Sequence, residues 1–147
     1  GVQTCALPIS HTRTTLAWNF DGPVGLADAG NGAFFVSEYS GGRISRVDTR
    51  SNEKATVIDR LDRPEGIALA PDGKLIVAEV GKKRVIAVDP ASGRGEILAD
   101  MLPIGLEVGP QVPAPFLPTG IAVDKTGAIF VSGDIDNVVY KLTPPPQ

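Results

Sequence analysis

A single cysteine, Cys5, leaves this chain of 147 residues without an internal disulfide. That fact does not fix a compartment, because a protein with enough apolar residues for a core does not depend on cross-links. The one histidine, His11, stands near the start and is read as a solvated residue rather than a catalytic or metal-binding one. Aromatic residues make up only 5% of the chain, so a core must be built from Val, Ile, Leu and Ala. No apolar run approaches the ~20 residues that a membrane-spanning helix needs. The net charge of −3 gives no electrostatic case for nucleic acid or an acidic membrane as partner. G-x-S-x-G, CxxC, HExxH and phosphate-loop patterns are all missing, which removes the motif-based case for several enzyme classes. With 42% hydrophobic and 21% charged residues, the composition is that of an ordinary soluble domain.

What is present is a repeat. The stretch Arg63–Asp89 holds three short apolar runs, Ile67–Ala70, Leu75–Ala78 and Val85–Val88. Pro71-Asp72-Gly73 and Gly81-Lys82-Lys83 separate them. Such runs, punctuated by turn residues, predict strands joined by tight hairpins. The pattern recurs on either side. Each unit opens on Pro-x-Gly: Pro23-Val24-Gly25, Pro64-Glu65-Gly66 and Pro118-Thr119-Gly120. The first two openings are 41 residues apart and the last two 54, so an insertion separates the second and third units. At these offsets Gly32, Gly73 and Gly127 coincide, as do Ile44, Val85 and Val139. A period near forty with several strands per unit predicts β-propeller blades.

P-x-G-[IL]-A, then D-G or its equivalent, then a β run ending in an acid, then R-[IV], resembles the NHL repeat. The layout is similar across the six-bladed group that includes SMP-30/gluconolactonase-like and streptogramin-lyase-like proteins, and the resemblance covers Asp21 to Thr143. It implies an all-β chain of about three four-stranded antiparallel blades, half of a six-bladed ring. Such a half ring leaves two blade faces without neighbours, so assembly with missing blades or with further copies of itself is expected.

Gly1–Ile9 (G-V-Q-T-C-A-L-P-I) resembles a translated sequencing-adapter oligonucleotide and is set aside. On that reading the native start is not in the sequence, and a secreted or periplasmic location stays open. Residues 10–147 are then the partial propeller. The β-branched Ser10–Asn19 stretch is expected to be the outer strand of a preceding blade. Blades are expected at 23–61, 62–102 and 116–143, with the insertion at 103–115. This insertion is rich in Pro and Gly, and reads either as a binding loop on one face or as a passive connection. Pro144-Pro145-Pro146 stops any further strand, so the third blade is expected to lack its fourth.

Candidate site residues follow from the repeat. The residue before each opening Gly should lie near one mouth of the central channel: Val24, Glu65 and Thr119. The resemblance to SMP-30-like lactonases implies that this position supplies oxygen ligands to a divalent cation such as Ca²⁺. Only Glu65 is a carboxylate, and a hard cation takes six or more oxygens. Glu65 is therefore read either as part of a metal site or as a hydrated acid at the mouth. Arg63 is placed to bind a carboxylate or phosphate of a ligand, or to pair with Asp62 or Glu65. Asp28 stands where the other units have Leu69 and Val123, on the face that alternation assigns to the core. It is expected to pair locally with a distorted strand, or to serve function. Glu38 and Glu79, each followed five residues later by an Arg (Arg43, Arg84), are expected to be structural, accepting backbone N–H groups of the adjoining hairpin. Asp134-Ile135-Asp136-Asn137 reads as a hairpin turn, lacking the rest of an EF-hand loop.

Three functional classes remain. The first is a propeller that binds a small-molecule ligand or a protein at the channel mouth. The second is a Ca²⁺-dependent hydrolase like the sugar lactonases. The third is a lyase like the streptogramin lyases, which would need a channel histidine that His11 is poorly placed to supply.

Overall fold

The computed structural model describes residues 13–107, 109 and 117–143. Gly1–Ile9, His11, the greater part of the insertion after Glu107, and Pro144–Pro146 lie outside the described residues. Eleven strands form three antiparallel sheets, each a simple up-and-down meander. The first blade comprises β1 (Pro23–Gly30), β2 (Ala33–Glu38), β3 (Arg43–Asp48) and β4 (Lys54–Ile58). The second comprises β5 (Pro64–Leu69), β6 (Leu75–Glu79), β7 (Arg84–Asp89) and β8 (Arg94–Ala99). The third holds β9 (Ile121–Val123), β10 (Ile129–Gly133) and β11 (Val138–Leu142), with no fourth strand among the described residues. The only helical element among the described residues is a single 3₁₀ turn at Val80–Lys82, where a plain hairpin tip was expected.

The pairing registers repeat with the sequence period. Val36 faces Ser45, and 41 residues on Val77 faces Ile86. Alternation then decides which blade each side chain meets. Ile67, Leu75, Val77, Ile86 and Val88 of the second blade pack against Ala27, Phe35 and Ile44 of the first. The opposite face of the same strands, Ile76, Ala78, Val85 and Ala87, packs on Ile129 and Val131 of the third. Because the middle blade is covered on both faces, β6 is buried from end to end and reads as an apolar run up to its closing Glu79.

Backbone conformation repeats as well. Gly42, Lys83 and Asn137 share one repeat position and all have left-handed φ, at 58°, 54° and 57°. Asn19, Arg60 and Met101, each 41 residues from the next, do the same at 62°, 60° and 55°. A side chain in that region costs about 1–2 kcal/mol relative to glycine. The Arg60 side chain is 93% exposed, and its 3.9 Å contact with Asp59 is too solvated to matter. Arg60→Gly is therefore expected to raise stability by about 0.5 kcal/mol, net of the chain entropy that glycine adds to the unfolded state. A denaturant midpoint unchanged or lowered by this substitution would contradict the backbone account.

Two expectations need correction. The described part of Ser10–Asn19, from Arg13 onward, forms no strand. An outer strand forms only against the third strand of its own blade, and among the described residues none precedes it. Instead the segment lies along the first blade, where the Lys54 ammonium donates to the Asn19 carbonyl at 2.7 Å and sits 4.2 Å from the Phe20 ring centre. Glu38 and Glu79 are fully buried, but the N–H groups they accept are not in the hairpin. They belong to Asp21 (2.8 Å) and Asp62 (2.9 Å), the chain entering the first strand of the same blade. The end of β2 or β6 lies beside that entry because the first two strands of each blade are antiparallel neighbours. Arg43 and Arg84 close the pairs, each at 2.5 Å. The acid thus ties together the beginning, middle and outer part of its blade.

Candidate functional site

The first strands of the blades, β1, β5 and β9, lie side by side. Their N-terminal ends meet at a cleft of ≈ 230 Å³, walled by Val24–Leu26, Glu65–Ile67 and Pro118–Ile121. The three residues that precede the opening glycines are therefore brought together, as the repeat predicts.

Close approach is what the opening glycines permit. None of the three has a left-handed φ. A Cβ on Gly25 would lie 2.5 Å from the Glu65 carbonyl oxygen and 2.7 Å from Ser37 Oγ. On Gly66 it would run into the Thr119 carbonyl oxygen and lie 2.7 Å from the Ile121 nitrogen. Serines complete the seam. Ser37 Oγ accepts from the Gly25 N–H at 2.8 Å and donates to the Glu65 carbonyl at 2.5 Å. In the third blade Ser132 Oγ accepts from the Gly120 N–H at 2.6 Å.

Glu65 is buried, not the hydrated acid that was one of its two readings. Its Oε2 accepts from the Thr119 N–H at 2.6 Å, so it fastens the second blade to the third. Burial pushes its pKa up, the Thr119 N–H pulls against this, and the nearby Asp134 charge adds to the rise. A raised value means that the fold favours the protonated form. That contribution is whole below the unfolded value and is lost as pH rises through the folded one. Glu65→Gln keeps an acceptor for Thr119 and removes the buried charge. The variant is expected to lose this part of the decline in stability as pH rises from below the ordinary value of 4.5 to above the raised one. Denaturant titrations at both ends check it, and parallel slopes in the two proteins count against it.

Arg63 does not reach Glu65. Its guanidinium pairs with Asp62 at 3.4 Å and with Glu107 of the insertion at 3.6 Å. Thr119 is buried, and its Oγ1 donates to Asp134 Oδ1 at 3.3 Å. Asp28 is not part of the cleft. It lies near the other end of β1, on the face turned away from the second blade, and is exposed. Its Oδ1 accepts from the Gly30 N–H at 2.8 Å beside a register shift in the β1–β2 ladder. Local pairing and strand distortion are both present there.

Sequence reasoning missed Asp134. Beyond forming a turn, it accepts from the N–H groups of Gly105 (2.8 Å) and Leu106 (2.6 Å) and so pins the insertion. Lys83 donates to the carbonyls of Ile104 and Gly105, both at 2.7 Å. Ile104 itself is fully buried between the second and third blades. The described start of the insertion is thus anchored at the mouth, with Glu107 reaching Arg63. A signal existed: Asp134 stands one residue after the repeat position held by the buried Glu38 and Glu79, where the third blade has Gly133.

The donors present do not make a cation site. Val24 has no side-chain ligand, Glu65 already holds a backbone N–H, and the Thr119 hydroxyl is turned to Asp134. Ca²⁺ takes six to eight oxygens. Among the described residues no three His, Cys, Asp or Glu side chains converge in a way that could hold a metal. No helix among the described residues is long and apolar enough to cross a membrane.

No family model matches the chain, and no curated protein matches it by sequence. Solved structures do. A gluconolactonase from Xanthomonas campestris superposes with a TM-score of 0.67 at 18% identity, over 88% of this chain and 46% of its own. The PQQ-bound aldose sugar dehydrogenase of Streptomyces coelicolor gives 0.68 at 19%, over 89% and 47%. A catalytically inactive His-to-Ala form of virginiamycin B lyase from Staphylococcus aureus, with quinupristin, gives 0.57 at 19%, over 84% and 42%. The chain spans a little under half the length of each. At these identities the likeness is one of fold, and the fold is three adjacent blades of a β-propeller.

Proposed function

We propose that the chain supplies three blades of a six-bladed ring of the NHL/SMP-30-like group, and that the ring binds a small polar molecule at the channel mouth. The observation that carries this reading is the convergence of Val24, Glu65 and Thr119 on one cleft, with a buried carboxylate of raised pKa beneath it. The amides of Gly25 and Thr119 are hydrogen-bonded into that cleft and serve as reporters. Titration with sugar lactones and sugar acids is expected to move these amide resonances. A series that moves neither removes the reading.

The second reading is a Ca²⁺-dependent lactonase, favoured by the position of Glu65 and by the gluconolactonase likeness. It predicts that Glu65→Gln weakens Ca²⁺ or Mn²⁺ binding at least about tenfold, or ~1.4 kcal/mol. Equal affinity in calorimetric titrations of the two proteins leaves the binding scaffold as the better account. A lyase reading has less support. The lyase above is inactive in its His-to-Ala form, and the sole histidine here, His11, lies outside the described residues.

A further inference from the structure

The second blade departs from the first at the entry to its first strand. Gly22 and Arg63 stand 41 residues apart, as do Ser40 and Gly81. Gly22 and Arg63 both have left-handed φ, at 66° and 51°. Glycine adopts that conformation freely, whereas an arginine is strained in it. In the first blade a Cβ on Gly22 would lie 2.8 Å from Ser40 Oγ. In the second blade the glycine stands across the turn instead, at Gly81, where a Cβ would run into the Asp62 carboxylate. Gly81 thus makes room for Asp62, which pairs with the Arg63 guanidinium at 3.4 Å. The backbone is held there, since the Val80 N–H donates to the Arg63 carbonyl at 3.2 Å and the Gly81 N–H to the Asp62 carbonyl at 3.1 Å. A strained residue, with space cleared for its partner, points to a side chain that has a task.

The two acids hold this guanidinium loosely. Asp62 at 3.4 Å and Glu107 at 3.6 Å are both farther than the ~2.7–3.2 Å of a formed hydrogen bond. Arg43 and Arg84, by contrast, reach their buried glutamates at 2.5 Å. Burial would lower the Arg63 pKa, but the Tyr39 hydroxyl and the Asp62 and Glu107 charges raise it on balance, so the group stays charged. A guanidinium carries five donors in a planar fork that matches a carboxylate.

The contacts close a circuit at the mouth. The chain leads from Arg63 into Glu65, which accepts from the Thr119 N–H at 2.6 Å. The Thr119 hydroxyl donates to Asp134 at 3.3 Å, and Asp134 accepts from the Leu106 N–H at 2.6 Å. Glu107 comes next and returns to Arg63. Glu65 and Asp134 are engaged with backbone N–H groups. Glu107 is engaged only by Arg63 among the described residues, and its side chain is 74% exposed.

We propose that Arg63 is the anion contact of the channel mouth, that the anion is a carboxylate of the ligand, and that Glu107 occupies its place until the ligand displaces it. This rests on the reading of the mouth as a ligand site and narrows the small polar molecule to one that bears a carboxylate. A carboxylate fits better than a phosphate for two reasons. The chain's own occupant of the position is a carboxylate. The charges of Asp62 and Asp134 also oppose a dianion more strongly than a monoanion.

Gluconate and sorbitol share a six-carbon polyol chain, and only gluconate has a carboxylate. At fixed ionic strength gluconate is expected to move the Gly25, Thr119 and Leu106 amide resonances with an affinity at least about tenfold above that of sorbitol. Arg63→Gly installs the residue of the first blade. The variant should be at least as stable as the wild type, because backbone strain is relieved and two partly exposed ion pairs are worth little. It should also lose the preference for gluconate. A clearly lowered denaturant midpoint would make Arg63 a structural residue and overturn the proposal. Glu107→Gln should tighten gluconate binding about threefold by removing the competitor, and this gain should vanish in the Arg63→Gly background. A gain that persists there reflects net charge alone and overturns the proposal. Sorbitol bound as tightly as gluconate also overturns it and leaves the reading of the mouth in place. Resonances that neither compound moves remove that reading and the proposal with it.

Discussion

Gly66→Ala is expected to destabilise the chain by about 3 kcal/mol or more, enough to prevent folding of a domain of ordinary stability. The added methyl group meets backbone: the Thr119 carbonyl oxygen, the Ile121 nitrogen at 2.7 Å and the Gly120 carbonyl carbon at 2.9 Å. No rotamer change relieves a clash with main chain, so β5 and β9 must move apart. That movement takes the Thr119 N–H off Glu65 and loosens Ile129 and Val131 from Val85 and Ala87. Gly25→Ala is expected to cost less. Part of its clash is with Ser37 Oγ and Ile67 Cγ2, which are side-chain atoms, although the Glu65 carbonyl at 2.5 Å is not. Gly120→Ala should leave the chain nearly unaffected, since a Cβ there meets Ser132 Oγ at an ordinary 3.4 Å. Denaturant midpoints in the order Gly120→Ala above Gly25→Ala above Gly66→Ala are the expected result. Equal losses at all three sites would mean that the glycines serve backbone entropy rather than blade spacing.

This ordering marks where the sequence is legible and where it is not. Pro-x-Gly announced the blade openings, because residue type and period are written in the chain. The reason for the glycine was not, because it lies in the neighbour's main chain, 53 residues away for Gly66 and Thr119. The runs Leu75–Ala78 and Val85–Val88 were legible as strands to within a residue at either end, since apolar runs and flanking turn residues are local properties. Lys83 and Asn137 hid a left-handed turn position that Gly42 displays openly, and only the repeat register connects the three.

The site was legible as a position and not as an environment. Glu65 could be placed at the mouth from its register alone. Its burial depends on another blade packing over it, and its pKa is raised first by that burial and further by the Asp134 charge nearby. Neither is visible along the chain. Asp134 was passed over because a one-residue offset moved the acid out of the aligned column. In three dimensions that offset lets it reach the insertion, which Lys83 of the second blade holds from the other side.

Glu38→Ala is expected to lower stability by about 3–5 kcal/mol, the range for removing one partner of a buried ion pair. The side chain is fully buried and serves four groups at once. Arg43 and Ser45 donate to it at 2.5 Å, the Asp21 N–H at 2.8 Å, and Lys54 stands 3.2 Å from Oε1. Alanine leaves the Ser45 hydroxyl and the Asp21 N–H without their acceptor, and each unmade bond costs about 1–3 kcal/mol. Arg43 and Lys54 are partly exposed and recover some hydration, which keeps the loss from running higher. Acid should reproduce the defect in the wild type. Burial by itself would raise the Glu38 pKa, but Arg43, Ser45, the Asp21 N–H and Lys54 outweigh it and bring the value from 4.5 down to about 2. Between those values the unfolded chain binds more protons than the folded one. The stability that Glu38 confers is therefore complete above its unfolded value of 4.5 and drains away as pH falls toward about 2. Glu38→Gln is expected to start less stable at neutral pH and to lack this part of the acid limb. Glu79, held down in the same sense by Lys82, Asp62 and Arg84 although burial opposes them, should keep a second acid limb in that variant. The double variant Glu38→Gln/Glu79→Gln should then lose clearly less stability on acidification than either single variant, the rest of the limb lying with Asp48, Asp89 and Asp124, whose values local hydrogen-bond donors also lower. A double variant that loses stability as steeply as the wild type would place the acid sensitivity in other carboxylates and remove these two acids as the ties of their blades.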